Sequence, residues 1–301
     1  MRGARLTRSS HEFLSAPLVP SSALGLPSGC VRRMFLLYVP SGHSASRRSS
    51  LVVLNPDIGR SPMDKLVQEV FTVAERLNSL LVVLDVVRHA FNVGADAQAS
   101  GEDDVAYALA ALRKVAEAVF VDVRRVYCTG YSRGGRFCAQ LASELPALFA
   151  AIAPVASLRY PHPNNATRPI SVIAFHGTSD PINPYGGGGS PYWKTNVSAA
   201  FEGWAAFDNC TTRVTEREER GVAVQRSGGC ADGAEVALYT VQHMGHVWPG
   251  SLYDFVRAVG PPCTSLHALS IIQTFFARHA LLERYAPAAL ALLDTPTAAP
   301  G

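Results

Sequence analysis

Short apolar runs rich in β-branched residues recur along the chain and predict the strands of a sheet. The run at residues 80–87 is largely apolar, which is typical of a strand covered on both faces in a parallel sheet. The predicted strands cover residues 34–39, 50–54, 80–87, 125–129, 150–155, 170–175 and 236–241.

Stretches with helical spacing of apolar residues separate these runs. Ser61 and Pro62 are typical of a helix start, and apolar residues follow them at positions 66, 70, 74 and 77. Ser100 followed by Asp103 indicates the cap of a second helix, and further helices are predicted at about 134–145 and 266–279. Because strands alternate with helices, we expect one α/β domain with a mostly parallel central sheet flanked by helices.

No internal repeat or linker divides this domain, which we expect to span residues 30–285. Residues 1–29 are expected to be a disordered or targeting leader, since the first ten are rich in Arg and Ser, as in a transit peptide. Pro17 and Pro20 interrupt the apolar stretch that follows, which makes it a poor signal-peptide core. Residues 286–301, rich in Ala and Pro, are expected to be a flexible tail.

The two signs of charge are nearly balanced, with 27 Lys and Arg against 24 Asp and Glu and a net charge of +3. Without a block of like charges, the chain lacks the basic surface that binds nucleic acid or anionic membranes. Its apolar stretches are shorter than the ~18 residues that a membrane span needs. We therefore expect neither nucleic acid nor a membrane as a partner, and we expect a monomer.

Six cysteines lie in the chain without a C-x-x-C pair, so nothing indicates a zinc ribbon or a thioredoxin-like redox motif. Their even number and three N-glycosylation sequons favour a secreted protein, with organellar targeting as the alternative. Cys30 and Cys263 are candidates for a bridge, and Cys128 and Cys138 are candidates for buried thiols, so the pairing of these four residues stays open. The sequons begin at Asn165, Asn196 and Asn209.

The most informative segment, residues 126–135, runs from a predicted strand through Gly130-x-Ser132-x-Gly134 into a predicted helix. Glycines on both sides of a serine relieve contacts at a sharp strand-to-helix turn, so that the hydroxyl stands clear of the sheet. The helix N-terminus behind it stabilises developing negative charge. This pattern predicts that Ser132 is a nucleophile.

A serine nucleophile needs a base, and the base needs an orienting acid. Asp180 follows one predicted strand and His246 follows the next, in the chain order serine, acid, histidine. His243 is the other candidate base, but His246 is preferred because a glycine before it and a Trp-Pro-Gly turn after it predict a tight loop. His176 is expected to brace the loop that holds Asp180.

The same two histidines could in principle bind a metal ion. We do not expect one, because no carboxylate or cysteine stands near His243 and His246 at ligand spacing. No cofactor is expected either.

Five segments occur in an order that resembles a known family. They are Tyr38-Val39-Pro40, Asp103-Asp104-Val105, residues 122–127, residues 175–180 and residues 246–250. The resemblance is to secreted α/β-hydrolase esterases that include plant-cell-wall feruloyl esterases and short poly(3-hydroxybutyrate) depolymerases. It implies an α/β-hydrolase fold in which Ser132 is the nucleophile, Asp180 the acid and His246 the base. It also implies a disulfide between Cys210 and Cys230.

The chain departs from that family after the second predicted strand, where Asn55-Pro56 replaces a usual His-Gly. Proline has no N–H group to bind an oxyanion. The oxyanion donors are then expected to be the N–H of Arg133 and that of Asp57 or Ile58. Because removing one such donor costs about 10²–10³ in rate, this loop bears directly on activity.

These observations lead to three hypotheses. The first is a serine esterase that removes feruloyl or acetyl groups from plant cell-wall polysaccharides such as xylan, through an acyl-enzyme. The second is hydrolysis of a hydroxyalkanoate polyester by the same chemistry. The third is a binding protein with a hydrolase fold that has lost activity through its altered oxyanion loop.

Overall fold

The computed structural model describes residues 13–15, 33–56, 65–86, 91–93, 103–189, 192–218, 221–251 and 259–294. Within these residues ten strands form one sheet, in the order β1-β2-β4-β3-β5-β6-β7-β10-β9-β8. The strands are β1 (Phe13–Ser15), β2 (Phe35–Tyr38), β3 (Ser49–Asn55), β4 (Leu80–Leu84), β5 (Val121–Tyr131), β6 (Ala151–Val155), β7 (Ser171–Gly177), β8 (Thr212–Glu218), β9 (Val222–Gly228) and β10 (Val236–Val241).

The centre of the sheet, from β4 through β3, β5, β6 and β7 to β10, is parallel, and the strands at both edges are antiparallel. β3, β4, β6, β7 and β10 are buried along their whole length, which explains why most of their residues are apolar. The predicted mostly parallel α/β sheet is confirmed. The expectation of a leader over residues 1–29 is wrong for Phe13–Ser15, which pairs with β2 in this sheet, and the rest of that stretch lies outside the described residues.

Helices cover both faces of this sheet. On one face α1 and α5 contact each other and enclose Thr129 of β5. Cys128, the preceding residue, points to the opposite face because side chains alternate along a strand, and there it meets α3. No helix among the described residues is long and apolar enough to cross a membrane. The helices are α1 (Lys65–Leu77), α2 (Asp104–Ala118), α3 (Arg133–Glu144), α4 (Val197–Phe207), α5 (Ala268–Arg278) and α6 (Ala286–Asp294).

The C-terminal stretch differs from the prediction. Ala286–Asp294 forms α6, so the expectation of a flexible tail over residues 286–301 is wrong for this part, and residues 295–301 lie outside the described residues. Ala289 and Leu293 are buried, and Arg113 of α2 donates a hydrogen bond to the carbonyl of Leu292. Alanine and leucine favour helices strongly, and the apolar side of α6 finds a partner in α2.

The cysteines are paired differently from the expectation. The implied Cys210–Cys230 disulfide is present, but Cys128 and Cys138 are also bonded and are not free thiols. Their Cα atoms lie 5.7 Å apart, within the usual range for a disulfide, because Cys128 faces the helix that carries Cys138. Cys263 is a buried free thiol, so it forms no bridge to Cys30, which lies outside the described residues.

A buried carboxyl lies at the amino end of the sheet. Asp208 ends α4, and its Oδ1 accepts a hydrogen bond from the N–H of Ile170, just before β7. Asp208 Oδ2 has no hydrogen-bond partner among the described residues. Burial raises the pKa of Asp208 to about 7, although the Ile170 N–H and the charge of Arg168 act in the opposite direction.

This raised pKa predicts a pH-dependent effect of Asp208→Asn. Below pH ~4 the Asp208 carboxyl is protonated in both the folded and the unfolded protein, and its contribution to the unfolding free energy is fully present. This contribution is lost as the pH rises through about 7, because the unfolded protein releases its proton more readily than the folded protein. Because asparagine does not titrate, the unfolding free energy should shift in favour of the variant by about 2–4 kcal/mol between pH 4 and pH 8. Urea denaturation of both proteins at several pH values measures this, and parallel pH profiles would contradict it.

Candidate active site

Ser132 occupies the turn between β5 and α3. Its φ and ψ are 55° and −121°, a conformation that is costly for a residue with a side chain. The Ser132 N–H donates to the carbonyl of Val155 at the end of β6 (2.9 Å), which holds the turn against the neighbouring strand. Only 5% of Ser132 is exposed. The predicted strand-to-helix turn is therefore present.

Two glycines make this turn possible. A Cβ atom on Gly134 would lie 2.0 Å from the carbonyl oxygen of Asn55, and one on Gly130 would lie 2.5 Å from the backbone of Gly134. Neither distance is compatible with a side chain. The first turn of α3 therefore lies directly against the end of β3.

The structure brings Ser132, His246 and Asp180 together. His246 Nε2 lies 2.7 Å from Ser132 Oγ, and His246 Nδ1 lies 2.7 Å from Asp180 Oδ2. Asp180 follows β7 and His246 follows β10, and these strands are parallel neighbours. Their following loops therefore meet Ser132 at the carboxyl edge of the sheet, where open α/β sheets place their sites.

The Asp180 carboxylate is buried but well supplied with donors. Its Oδ1 accepts from the backbone N–H groups of Ile182 and Asn183, each at 2.8 Å. Burial on its own would raise the pKa of Asp180, but hydrogen bonds from His176 and His246 outweigh it and lower the pKa to about 2. Asp180 therefore stays ionised near neutral pH and holds the Nδ1–H tautomer of His246.

His176 supports the Asp180 loop, as its position in the sequence predicts. Its Nε2 lies 2.8 Å from the carbonyl oxygen of Asn183 and 3.4 Å from Asp180 Oδ2, so the shorter contact identifies Asn183 as its main acceptor. Its ring stacks on Trp193. Asn183 in turn donates to the carbonyl of Ala156, which links this loop to the end of β6.

Tyr131 contacts His246, and sequence reasoning did not predict this role. Its hydroxyl donates to the backbone carbonyl of His246, and the two rings lie 5.1 Å apart. Tyr131 stands immediately before Ser132, and this position inside the motif was the available signal. The residue fixes the histidine loop to the serine strand.

The other candidate base, His243, lies away from Ser132. His243 is exposed, and its N–H donates to Thr178 Oγ1. Its φ is 61°, which places it in a tight turn before the segment that carries His246. His246, and not His243, therefore meets the serine.

Of the residues expected to donate to an oxyanion, only Arg133 lies within the described residues. Arg133 is the first residue of α3, and the N–H groups of a first helical turn have no partner within the helix. Its N–H is therefore available beside Ser132. Asp57 and Ile58, the other expected donors, lie outside the described residues.

No family model matches the chain. It is 31% identical over 188 residues to NocK of Nocardia uniformis subsp. tsuyamanensis, which is named as an esterase; the match covers 54% of each chain. It is 24% identical over 248 residues to feruloyl esterase B of Piromyces equi, covering 76% of this chain and 46% of the relative. The chain thus spans about half the length of the curated relatives it matches.

Solved structures identify the fold. Thermogutta terrifontis esterase 2, in a form phosphorylated by paraoxon, superposes with a TM-score of 0.56 at 15% identity. The superposition covers 89% of this chain and 94% of the esterase. The chain therefore has the expected α/β-hydrolase fold.

The hydrogen bond from His246 to Asp180 predicts the effect of Asp180→Asn. An amide donor facing Nδ1 stabilises the opposite tautomer, in which Nε2 carries a proton and cannot accept one from Ser132. We expect the rate of Ser132 acylation by p-nitrophenyl acetate to fall about 10⁴-fold, with an unchanged circular dichroism spectrum. A loss below tenfold would show that Asp180 does not set the tautomer.

Proposed function

We propose that the protein is a serine carboxylic-ester hydrolase that acts through an acyl-enzyme. The observation that carries this proposal is the buried chain of two 2.7 Å hydrogen bonds from Asp180 through His246 to Ser132. The names of the matched relatives agree with it. The alternative is a binding protein that keeps the triad but is inactive through its oxyanion loop, and turnover of p-nitrophenyl butyrate by the native protein decides between the two.

In the first half of the reaction Ser132 Oγ attacks the ester carbonyl carbon while His246 Nε2 takes its proton. Negative charge develops on the carbonyl oxygen, where the N–H of Arg133 and that of Asp57 or Ile58 bind it. Asp180 stabilises the imidazolium of His246. Collapse of the intermediate breaks the carbon–oxygen bond to the alcohol, which leaves with the proton from His246.

The second half repeats these roles with water. His246 removes a proton from a water molecule, whose oxygen attacks the acyl carbon bound to Ser132. The carboxylic acid leaves, and His246 returns the proton to Ser132 Oγ. Free alcohol and free acid are the products, and no cofactor takes part in either half.

For the substrate we propose feruloyl or acetyl esters of plant cell-wall polysaccharides such as xylan. Feruloyl esterase B is one relative that supports this choice. The chain also resembles short poly(3-hydroxybutyrate) depolymerases in its ordered motifs, so a hydroxybutyrate oligomer is the appropriate competing substrate. We also propose that the protein acts as a monomer, because one chain supplies all three residues of the triad.

We further propose that the protein is secreted. Two disulfides are present, and disulfides persist in oxidising compartments. The asparagines of the three sequons are all exposed and accessible to glycosylation. Mass spectrometry of the protein purified from its native source tests for glycans at these positions. The sequon asparagines are Asn165, Asn196 and Asn209.

Matched histidine variants test the catalytic roles. We expect His246→Asn to lower kcat for p-nitrophenyl butyrate by 10³-fold or more, because the base is lost, and Ser132→Ala to abolish turnover. His243→Asn is the control, since asparagine tolerates its positive φ and the exposed side chain lies away from Ser132. The roles of the two histidines would be reversed if His243→Asn lost activity and His246→Asn retained it.

Competing substrates test the acyl specificity. We expect kcat/KM for methyl ferulate or an acetylated xylo-oligosaccharide to exceed that for a hydroxybutyrate oligomer by at least tenfold, with all turnover absent in Ser132→Ala. Liquid chromatography of released acid measures each rate. The reverse order would support the polyester alternative.

A further inference from the structure

The Cys128–Cys138 disulfide spans the turn that carries Ser132. Cys128 lies on β5 before the serine and Cys138 lies in α3 after it, with a sequence separation of 10. Both residues are fully buried. The bond therefore ties the strand and the helix together on the two sides of Ser132.

The side chain of Asn55 contacts both sulfur atoms of this bridge. Its Nδ2 lies 3.2 Å from Cys128 Sγ and 3.3 Å from Cys138 Sγ. Sulfur atoms of a disulfide carry no hydrogen, so the amide is the donor. Because the two sulfurs are bonded to each other, one N–H of Asn55 Nδ2 is shared between them. Asn55 is fully buried, and its Oδ1 has no hydrogen-bond partner among the described residues. The shared contact with the two sulfur atoms is therefore the polar contact of its side chain there.

The backbone of Asn55 meets the same turn. Asn55 is the last residue of β3 and pairs with Gly130 of β5. Its carbonyl oxygen is the atom that a Cβ on Gly134 would approach to 2.0 Å. Asn55 thus contacts both the strand before Ser132 and the first helical turn after it.

The first turn of α3 sets the position of the Arg133 N–H relative to the Ser132 hydroxyl. It begins at Arg133, whose N–H lies beside the Ser132 hydroxyl and binds charge only as the transition state forms. A small rotation of α3 would move this N–H without removing the serine. The anchoring of α3 at Gly134 and Cys138 therefore bears on the rate of the chemical step more than on substrate binding.

We propose that Asn55 is a positioning residue for the nucleophile turn, and that the Cys128–Cys138 disulfide is the acceptor through which it acts. This inference rests on the proposed function, since it assigns Asn55 to the alignment of Ser132 and the Arg133 N–H. The proposal assigns the disulfide more than a covalent link between β5 and α3, because the alignment also requires the hydrogen bonding between the Asn55 amide and the sulfur atoms.

The test is a double-mutant cycle on p-nitrophenyl butyrate hydrolysis. Asn55→Leu should lower kcat at least tenfold with KM within twofold of native. The Cys128→Ala/Cys138→Ala variant lacks the sulfur acceptors, so adding Asn55→Leu to it should lower kcat by less than a further twofold. Cys128→Ser/Cys138→Ser restores oxygen acceptors without the covalent bond, and its kcat should exceed that of the double alanine variant at least threefold.

The second disulfide supplies a matched control. Cys210→Ala/Cys230→Ala removes a bridge at the amino end of the sheet, close to Asp208, and should keep kcat within twofold of native. If it lowers kcat as much as Cys128→Ala/Cys138→Ala does, general loss of stability explains both and the proposal is wrong. Thermal unfolding of every variant accompanies the kinetics.

Asn55→Asp decides the matter if the Cys128→Ala/Cys138→Ala variant does not fold. A carboxyl group buried at this position is protonated near neutral pH and keeps one O–H donor, so Asn55→Asp should retain kcat within threefold of native while Asn55→Leu loses it. Native kcat in Asn55→Leu, or an equal loss of kcat in both Asn55 variants, would overturn the proposal while Ser132-dependent turnover upheld the esterase function. If the native protein hydrolyses no ester, the labelling rate of Ser132 by a fluorophosphonate replaces kcat, with the same expected ratios.

Discussion

The structure depends on one close approach, that of the β3 carbonyl at Asn55 to the first turn of α3 at Gly134. This contact leaves no room for a Cβ atom and fixes where the helix begins. With the helix start fixed, Ser132 has to adopt a positive φ to connect β5 to α3. Packing around the turn, including the bond from Ser132 N–H to Val155, sustains a conformation that the residue would not adopt alone.

Parallel pairing then supplies the other two members of the site. Because β7 and β10 run beside each other in register, the loops after Gly177 and Val241 leave the sheet at the same edge. Asp180 and His246 are far apart in the sequence, but the pairing of β7 with β10 brings them close together in space. Short-range contacts then refine the alignment, such as the Tyr131 hydroxyl on the His246 carbonyl.

Much of this architecture could be predicted from the sequence, and the reason is physical. Buried parallel strands consist mostly of apolar residues, so the central strands can be recognised from short stretches of sequence. The glycines around Ser132 indicate a tight turn, and the positions of Ser132, Asp180 and His246 directly after predicted strands indicate the site. β8 and β9 have alternating polar sequences at an exposed edge, and they resemble loops until a neighbour pairs with them. The Cys128–Cys138 bond depends on which face of β5 meets α3, and α6 depends on a partner helix that its own sequence does not specify.

Two buried aspartates show how the fold confines charge to the site. Asp208 has one backbone donor on Oδ1 and none on Oδ2, and burial raises its pKa to about 7. Asp180 is also buried, but hydrogen bonds from His176 and His246 lower its pKa to about 2. Burial alone therefore does not set the protonation state. The side chains that face each carboxylate do, because two histidines lie within 3.4 Å of Asp180 Oδ2 while Asp208 Oδ2 has no hydrogen-bond partner among the described residues.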